Sequence, residues 1–168
     1  MMRRKTFAVI YCCLLTFAAC SKPETPPPAA TSPENAVRAR ADNVDVRAGG
    51  SAEASVRLTI ADGYHVNANP PTYSYLKATE LKATPADGLA AGSPIYPSPV
   101  TKKFAFEKNP LAVYEKEATI RLPVSAAAAA SSGAHTLNAK LQVQVCSNET
   151  CFPPRTIDVP IPVTIKSD

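Results

Sequence analysis

The chain has 168 residues, 45% of them hydrophobic and 19% charged, which suits one ordinary domain plus some unstructured sequence, with a core that need not depend on a disulfide. Its formal charge of +4 shrinks to near balance once Arg3, Arg4 and Lys5 are set aside with a removable leader, leaving 15 basic against 14 acidic residues. No basic footprint for nucleic acid or for an anionic membrane surface remains.

Residues 1–19 read as an export signal: a cationic start, an apolar run over 7–17, and small Ala18 and Ala19 before Cys20. The run is short for a retained membrane span. Small residues followed by cysteine resemble a bacterial lipoprotein box, in which the Cys20 thiol takes a lipid and becomes the new N-terminus; Phe17 stands where that box usually has leucine. An ordinary signal peptide, leaving Cys20 as a free thiol, is the alternative. Arg3-Arg4 is out of step with a twin-arginine signal, and Ser21 lacks the aspartate of inner-membrane retention, which favours the outer membrane. Cys12 and Cys13 leave with the apolar run, so the five cysteines reduce to one anchor and one pair in a disulfide-permissive compartment.

A tether is expected over 20–42. Its stretch SKPETPPPAATSPENA, residues 21–36, is rich in proline and small polar residues, without the apolar periodicity a fold requires. The folded domain is expected over 43–168. Ala54, Val56, Leu58 and Ile60 alternate with polar residues, as do Ala118, Ile120 and Leu122, then Leu137 through Val145 at every second position, then Ile157 through Val163. Turn signals at Asp62-Gly63, Asn69-Pro70-Pro71, Asp87-Gly88, Asn109-Pro110 and Ser132-Gly133 punctuate these runs. The pattern predicts an all-β antiparallel β-sandwich. The run SAAAAASS at 125–132 is too short for a helix and reads as a loop with at most one turn. Pro160 and Pro162 place the last strand at an edge or make its pairing partial.

The last two cysteines, Cys146 and Cys151, flank Ser147-Asn148-Glu149-Thr150 between two consecutive strands, a spacing that lets their sulfurs meet across a hairpin mouth. Two chemistries fit. The pair can exchange with other thiols, a thiolate attacking one sulfur and a neighbour resolving the mixed disulfide. It can also be a staple, worth about 2 kcal/mol for so short a loop, and spacing alone favours that reading. No cation lies between the cysteines, and Glu149 would raise a thiol pKa. Zinc is the weaker option, since His65 and His135 are distant in sequence, and no metal or other cofactor is expected. The sequon at Asn148 reads as incidental in a bacterial protein. No Ser-His-Asp order, phosphate loop or paired carboxylates supports a hydrolase or a nucleotide enzyme, and no small-molecule substrate is expected.

The words GYHVNANPP (63–71), PLAVYEKEATIRLPV (110–124) and VCSNETCFPPRTIDVPIPV (145–163) resemble, in order and separation, the N-terminal periplasmic domain of the membrane disulfide reductase DsbD. The resemblance implies an immunoglobulin-like sandwich whose pair, here Cys146 and Cys151, relays electrons between thioredoxin-like or DsbD-like proteins, with Cys151 attacked first. It also implies an aromatic cap loop, placed here at 104–114, with Phe106 as the shielding residue and Tyr114, Phe152, Pro153 and His65 as neighbours of the pair. At the active-site end of the family's domain His65 would tune the thiols, while its ordinary reading is a solvated strand residue, and most of the aromatics read as core or loop packing. A cis bond at Pro153 or Pro154 is open. Two departures accompany the likeness. Four residues separate the cysteines where well-known members have five, and the chain ends at Asp168 without a membrane span or thioredoxin-like domain, so a separate electron donor is expected. The function expected is thus a lipid-anchored thiol–disulfide oxidoreductase on the periplasmic side. A β-sandwich binding module with a structural disulfide is the alternative.

Overall fold

A computed structural model describes residues 32–167. The expected signal segment 1–19, Cys20 and the tether up to residue 31 lie outside the described residues.

After a 3-10 turn at Pro33–Asn35 come strands β1 (Val37–Ala41), β2 (Val44–Arg47), β3 (Ser51–Ile60), β4 (His65–Asn67), β5 (Glu80–Ala83) and β6 (Leu89–Ala91). Then follow β7 (Val100–Lys102), β8 (Leu111–Tyr114), β9 (Glu117–Ala126), β10 (Gly133–Val143), β11 (Val145–Cys146) and β12 (Arg155–Lys166). They form three sheets, ordered β1-β3-β9-β6, β2-β12-β10-β5 and β11-β4-β8-β7. The first two bury a common core in an immunoglobulin-like β-sandwich; the third carries the cysteine hairpin. Among the described residues no helix is long and apolar enough to cross a membrane.

The alternating runs explain the core. Val56 stands opposite Ile120 and Ala54 opposite Leu122 in one sheet, while Leu137 faces Ile161 and Ala139 faces Val159 in the other. Directly opposed residues project to one face, so each register stacks apolar side chains on the buried side. Leu58, Ile120, Leu137 and Ile161 are fully buried, each worth about 1.5–3 kcal/mol relative to exposure.

The sandwich takes in more of the chain than the expected start at Asn43. Strand β1 pairs with β3 over five residues, and Ala36 and Val37 are buried in the core. Its alternation of Val37, Ala39 and Ala41 with Arg38 and Arg40 is too weakly apolar to stand out beside a proline-rich segment. The pairing is antiparallel except between β2 and β12, which run parallel. On its other side β12 pairs with β10 along nearly its whole length, whereas β2 joins only from Val163. Pro160 and Pro162 therefore sit where one side lacks a ladder, and pairing there is partial. The alanine run closes as a tight turn, with Ala130 N–H donating to the Ala127 carbonyl at 2.9 Å.

Candidate functional site

The site sits where the chain changes sheets. β10 ends at Val143, and after Gln144 the chain re-pairs as β11 with β4, setting Val145 opposite Val66 and Cys146 opposite His65. Gln144 makes this switch possible by satisfying three segments at once. Its Oε1 accepts from Asn67 Nδ2 and from the Lys77 amide, both at 3.2 Å, and its Nε2 donates to the Phe152 carbonyl at 3.3 Å. Asn67, fully buried, also donates to the Lys77 carbonyl at 3.1 Å. Thr79 closes the cluster by donating its hydroxyl to the Asn67 carbonyl at 2.7 Å.

Cys146 and Cys151 are joined by a disulfide of 2.03 Å, and their backbones form an antiparallel bridge. Ser147 shapes the four-residue loop between them. Its Oγ accepts from the Glu149 and Thr150 amides, each at 3.2 Å, while its own amide donates to the Thr150 carbonyl at 2.8 Å. The Phe152 amide then donates to the Val145 carbonyl at 2.8 Å, closing the hairpin. The two cysteines differ in setting: Cys146 is fully buried, Cys151 half-buried at the surface.

His65 is fully buried, which corrects the reading of a solvated strand residue. A glycine turn at Gly63, with φ +82°, brings the chain into β4, and pairing with β11 and β8 then draws His65 inward. Phe104 stacks on the imidazole with centroids 4.0 Å apart, and neither ring nitrogen has a hydrogen-bond partner. Leaving such a group unpartnered costs about 1–3 kcal/mol. Burial pushes the His65 pKa down to about 4; Glu115 acts in the opposite sense, and Lys102 adds to the lowering. Lys102 and Glu115 form an ion pair, and the Lys102 Nζ lies 5.6 Å from the Phe104 ring centre.

The aromatics fall into distinct layers. Phe104, rather than Phe106, lies against His65, and it forms a small second core with Leu111 and Val113. Phe106 is exposed and stacks on Phe104 at 5.4 Å. Polar contacts fasten this segment to the 72–77 loop: Tyr75 donates to Glu107 at 2.8 Å, and Asn109 Nδ2 donates to the Tyr73 hydroxyl at 2.9 Å. Tyr114 is buried in the main core, where its hydroxyl accepts from the Asn69 amide at 3.2 Å and burial raises its pKa. Phe152 packs on the main core and approaches Tyr64 at 6.4 Å. Pro153 is exposed and, with Phe152, Pro154 and Arg155, walls an open groove of about 770 Å³ whose other side is Ser32, Pro33 and Glu34. Among the described residues the cis X-Pro bond is Asn69–Pro70, not one beside Cys151. His135 lies away from this cluster, its Nε2 on the Ser131 carbonyl. Among the described residues no three His, Cys, Asp or Glu side chains converge as a metal site would require. Gln144 and Asn67 escape the sequence reading of the site, because nothing in their spacing distinguishes them from ordinary strand residues, and Phe104, which opens the expected cap loop, stacks on His65 where Phe106 is the residue singled out.

Comparison with known proteins supports the fold and shows the family. The N-terminal periplasmic domain of ScsB from Proteus mirabilis superposes with a TM-score of 0.52 at 22% identity, covering 79% of this chain and 49% of that one. This chain thus matches about half the length of that relative. A ScaB type I cohesin from Pseudobacteroides cellulosolvens gives a TM-score of 0.44 at 7% identity, over 79% of this chain and 93% of its own. The search of curated proteins gave no match. The family model of the thiol:disulfide interchange protein DsbD, N-terminal, matches residues 33–162, and with the Cys146–Cys151 disulfide at the hairpin end this chain belongs to that family of thiol–disulfide interchange domains.

Proposed function

We propose that Cys146 and Cys151 are the exchanging pair of a periplasmic thiol–disulfide oxidoreductase that relays electrons between thioredoxin-like or DsbD-like partners. The observation that carries this reading is the unequal setting of the two cysteines in a family of interchange domains: Cys146 is buried, Cys151 reaches the surface. A partner thiolate attacks Cys151 Sγ. The Cys151–Cys146 bond breaks, and its electron pair leaves on Cys146 Sγ. A second partner thiolate then attacks the partner's own sulfur in the mixed disulfide, releasing Cys151, so that two electrons and two protons pass from a dithiol to the pair. Transfer onward to a client runs the same steps in reverse. Export by residues 1–19 and lipidation at Cys20 would hold the domain at the periplasmic face of a membrane, the outer one by the Ser21 criterion.

The test is the reduction potential of the pair, equilibrated against glutathione and dithiothreitol with unfolding followed in parallel. A value of roughly −180 to −270 mV with both states folded supports exchange. One below about −300 mV, or melting on reduction, makes the disulfide a staple and the domain a binding module.

A further inference from the structure

His65 is the polar group beside the disulfide that the exchange steps leave unused. It is fully buried, and neither ring nitrogen has a partner. In the β4–β11 pair it stands directly opposite Cys146. Opposed residues in an antiparallel pair project to the same face, with Cβ atoms about 4.5–5.5 Å apart. One face of the ring is covered by Phe104, which fixes the ring plane and keeps water away. The charged groups acting on His65 are Glu115 and Lys102, and these are paired with each other. A buried polar group without a partner calls for a physical reason, and a redox change that supplies the partner is one.

We propose that His65 is the hydrogen-bond and proton partner of the Cys146 sulfur in the reduced domain. The inference rests on the reading above, in which Cys146 is the sulfur that leaves. A neutral imidazole carries one N–H and one lone pair. As the bond between Cys151 and Cys146 breaks, the N–H donates to the forming Cys146 thiolate, whose charge would otherwise be buried without compensation. When that thiolate takes up one of the two protons released by the partner dithiol, the ring lone pair of the other tautomer accepts from the new S–H. Burial keeps the imidazole neutral at neutral pH, so it offers both roles and adds no fixed charge to the oxidised state. His65 thereby sets how good a leaving group Cys146 is, and through that the rate of exchange at Cys151.

The experiment uses the full chain with ¹⁵N-labelled histidine, whose two imidazoles, His65 and His135, give one reporter and one internal control. On reduction with dithiothreitol the His65 ring nitrogens should shift while those of His135, held on the Ser131 carbonyl, stay in place. In parallel, His65→Phe should slow reduction by dithiothreitol at neutral pH roughly three- to tenfold, the effect expected when the leaving thiol loses its stabilisation. His65→Asn, which keeps a donor and an acceptor, should recover most of that loss. Unmoved His65 signals, or equal rates in wild type and His65→Phe, overturn the inference while leaving the exchange reading intact. A wild-type disulfide that dithiothreitol cannot open in the folded chain overturns the exchange reading itself. If His65→Phe fails to fold, the wild-type nitrogen shifts decide alone.

Discussion

The Phe104 ring lies on the His65 imidazole with centroids 4.0 Å apart and planes 19° from parallel, so a loop aromatic and a strand histidine close each other off from water. Phe104 also anchors the small core of Leu111 and Val113. Replacing it with alanine should cost about 3 kcal/mol in denaturant unfolding, the low end for a buried phenylalanine. The same variant should let the His65 titration climb from about 4 toward its ordinary 6.5, read by NMR, because the burial that lowers it is relieved. An unmoved His65 titration would mean that another element shields the ring.

Acid should destabilise the fold through His65. Its folded pKa is depressed to about 4 from 6.5, so the unfolded chain binds more protons between those values. Stability is then complete above about pH 6.5 and falls as pH drops toward 4, by on the order of 3 kcal/mol from this group. Denaturant midpoints at pH 7 and pH 4.5, compared between wild type and His65→Phe, isolate that share. A variant with the same acid sensitivity as wild type would refute the assignment.

Removing the side chain of Gln144 should loosen the junction between β10 and β11. Gln144→Ala leaves buried Asn67 Nδ2 with one acceptor fewer and frees the Phe152 carbonyl, a loss of about 1–3 kcal/mol for a partly buried polar cluster. Ser147→Ala, which removes only the loop bonds to Glu149 and Thr150, should cost about 1 kcal/mol. Urea unfolding of the two variants side by side checks the order. If Ser147→Ala proves the costlier, the loop and not the junction holds the hairpin.

Tyr75→Phe should release the segment around Phe106 without affecting global stability. Its hydroxyl holds Glu107, and that hydrogen bond is the main cause lowering the Glu107 pKa. In the variant, Glu107 should titrate closer to the ordinary carboxylate range, and amides over 104–109 should exchange faster with solvent. An unchanged exchange rate would show that the Asn109–Tyr73 bond suffices to hold the segment.

A chain begun at Asn43 should fold poorly beside one begun at Ser32. It lacks β1, exposes the edge of β3, and deprives Arg155 of the Val37 carbonyl that its Nη2 meets at 2.8 Å. Circular dichroism melting of the two forms reads the difference directly. Equal melting would make β1 an appendage.

The sandwich was legible because period-two alternation is a direct imprint of one buried face. Val56, Leu58, Ile120 and Leu137 carry it in the sequence and fill the core in the structure. The hairpin was legible for a different reason: two cysteines at short range before a strand leave few geometries. Strand β1 was obscured by its neighbours, since alternating alanine and arginine carries little apolar contrast. The burial of His65 was hidden more deeply. It follows from pairing with β11, whose two residues lie about eighty positions further along the chain, and no local pattern reports so distant a partner. Phe104 and Phe106 show the same limit, being two apart in one loop yet one buried and one exposed, which only the fold decides.

Ser32, Pro33 and Glu34 share a groove with Phe152, Pro153 and Pro154, so the polypeptide enters the sandwich immediately beside the hairpin that carries the disulfide. Anything that leashes the protein through its N-terminal side therefore holds it from the hairpin end and leaves the far turns, with His135, pointing away. With Cys20 as the lipidated residue proposed above, residues 21–31 set the standoff: eleven residues reach at most about 40 Å when fully extended. Lengthening or shortening that leash would move the hairpin relative to the bilayer without altering a single contact in the domain. On the exchange reading proposed above, it would change which partners can reach Cys151.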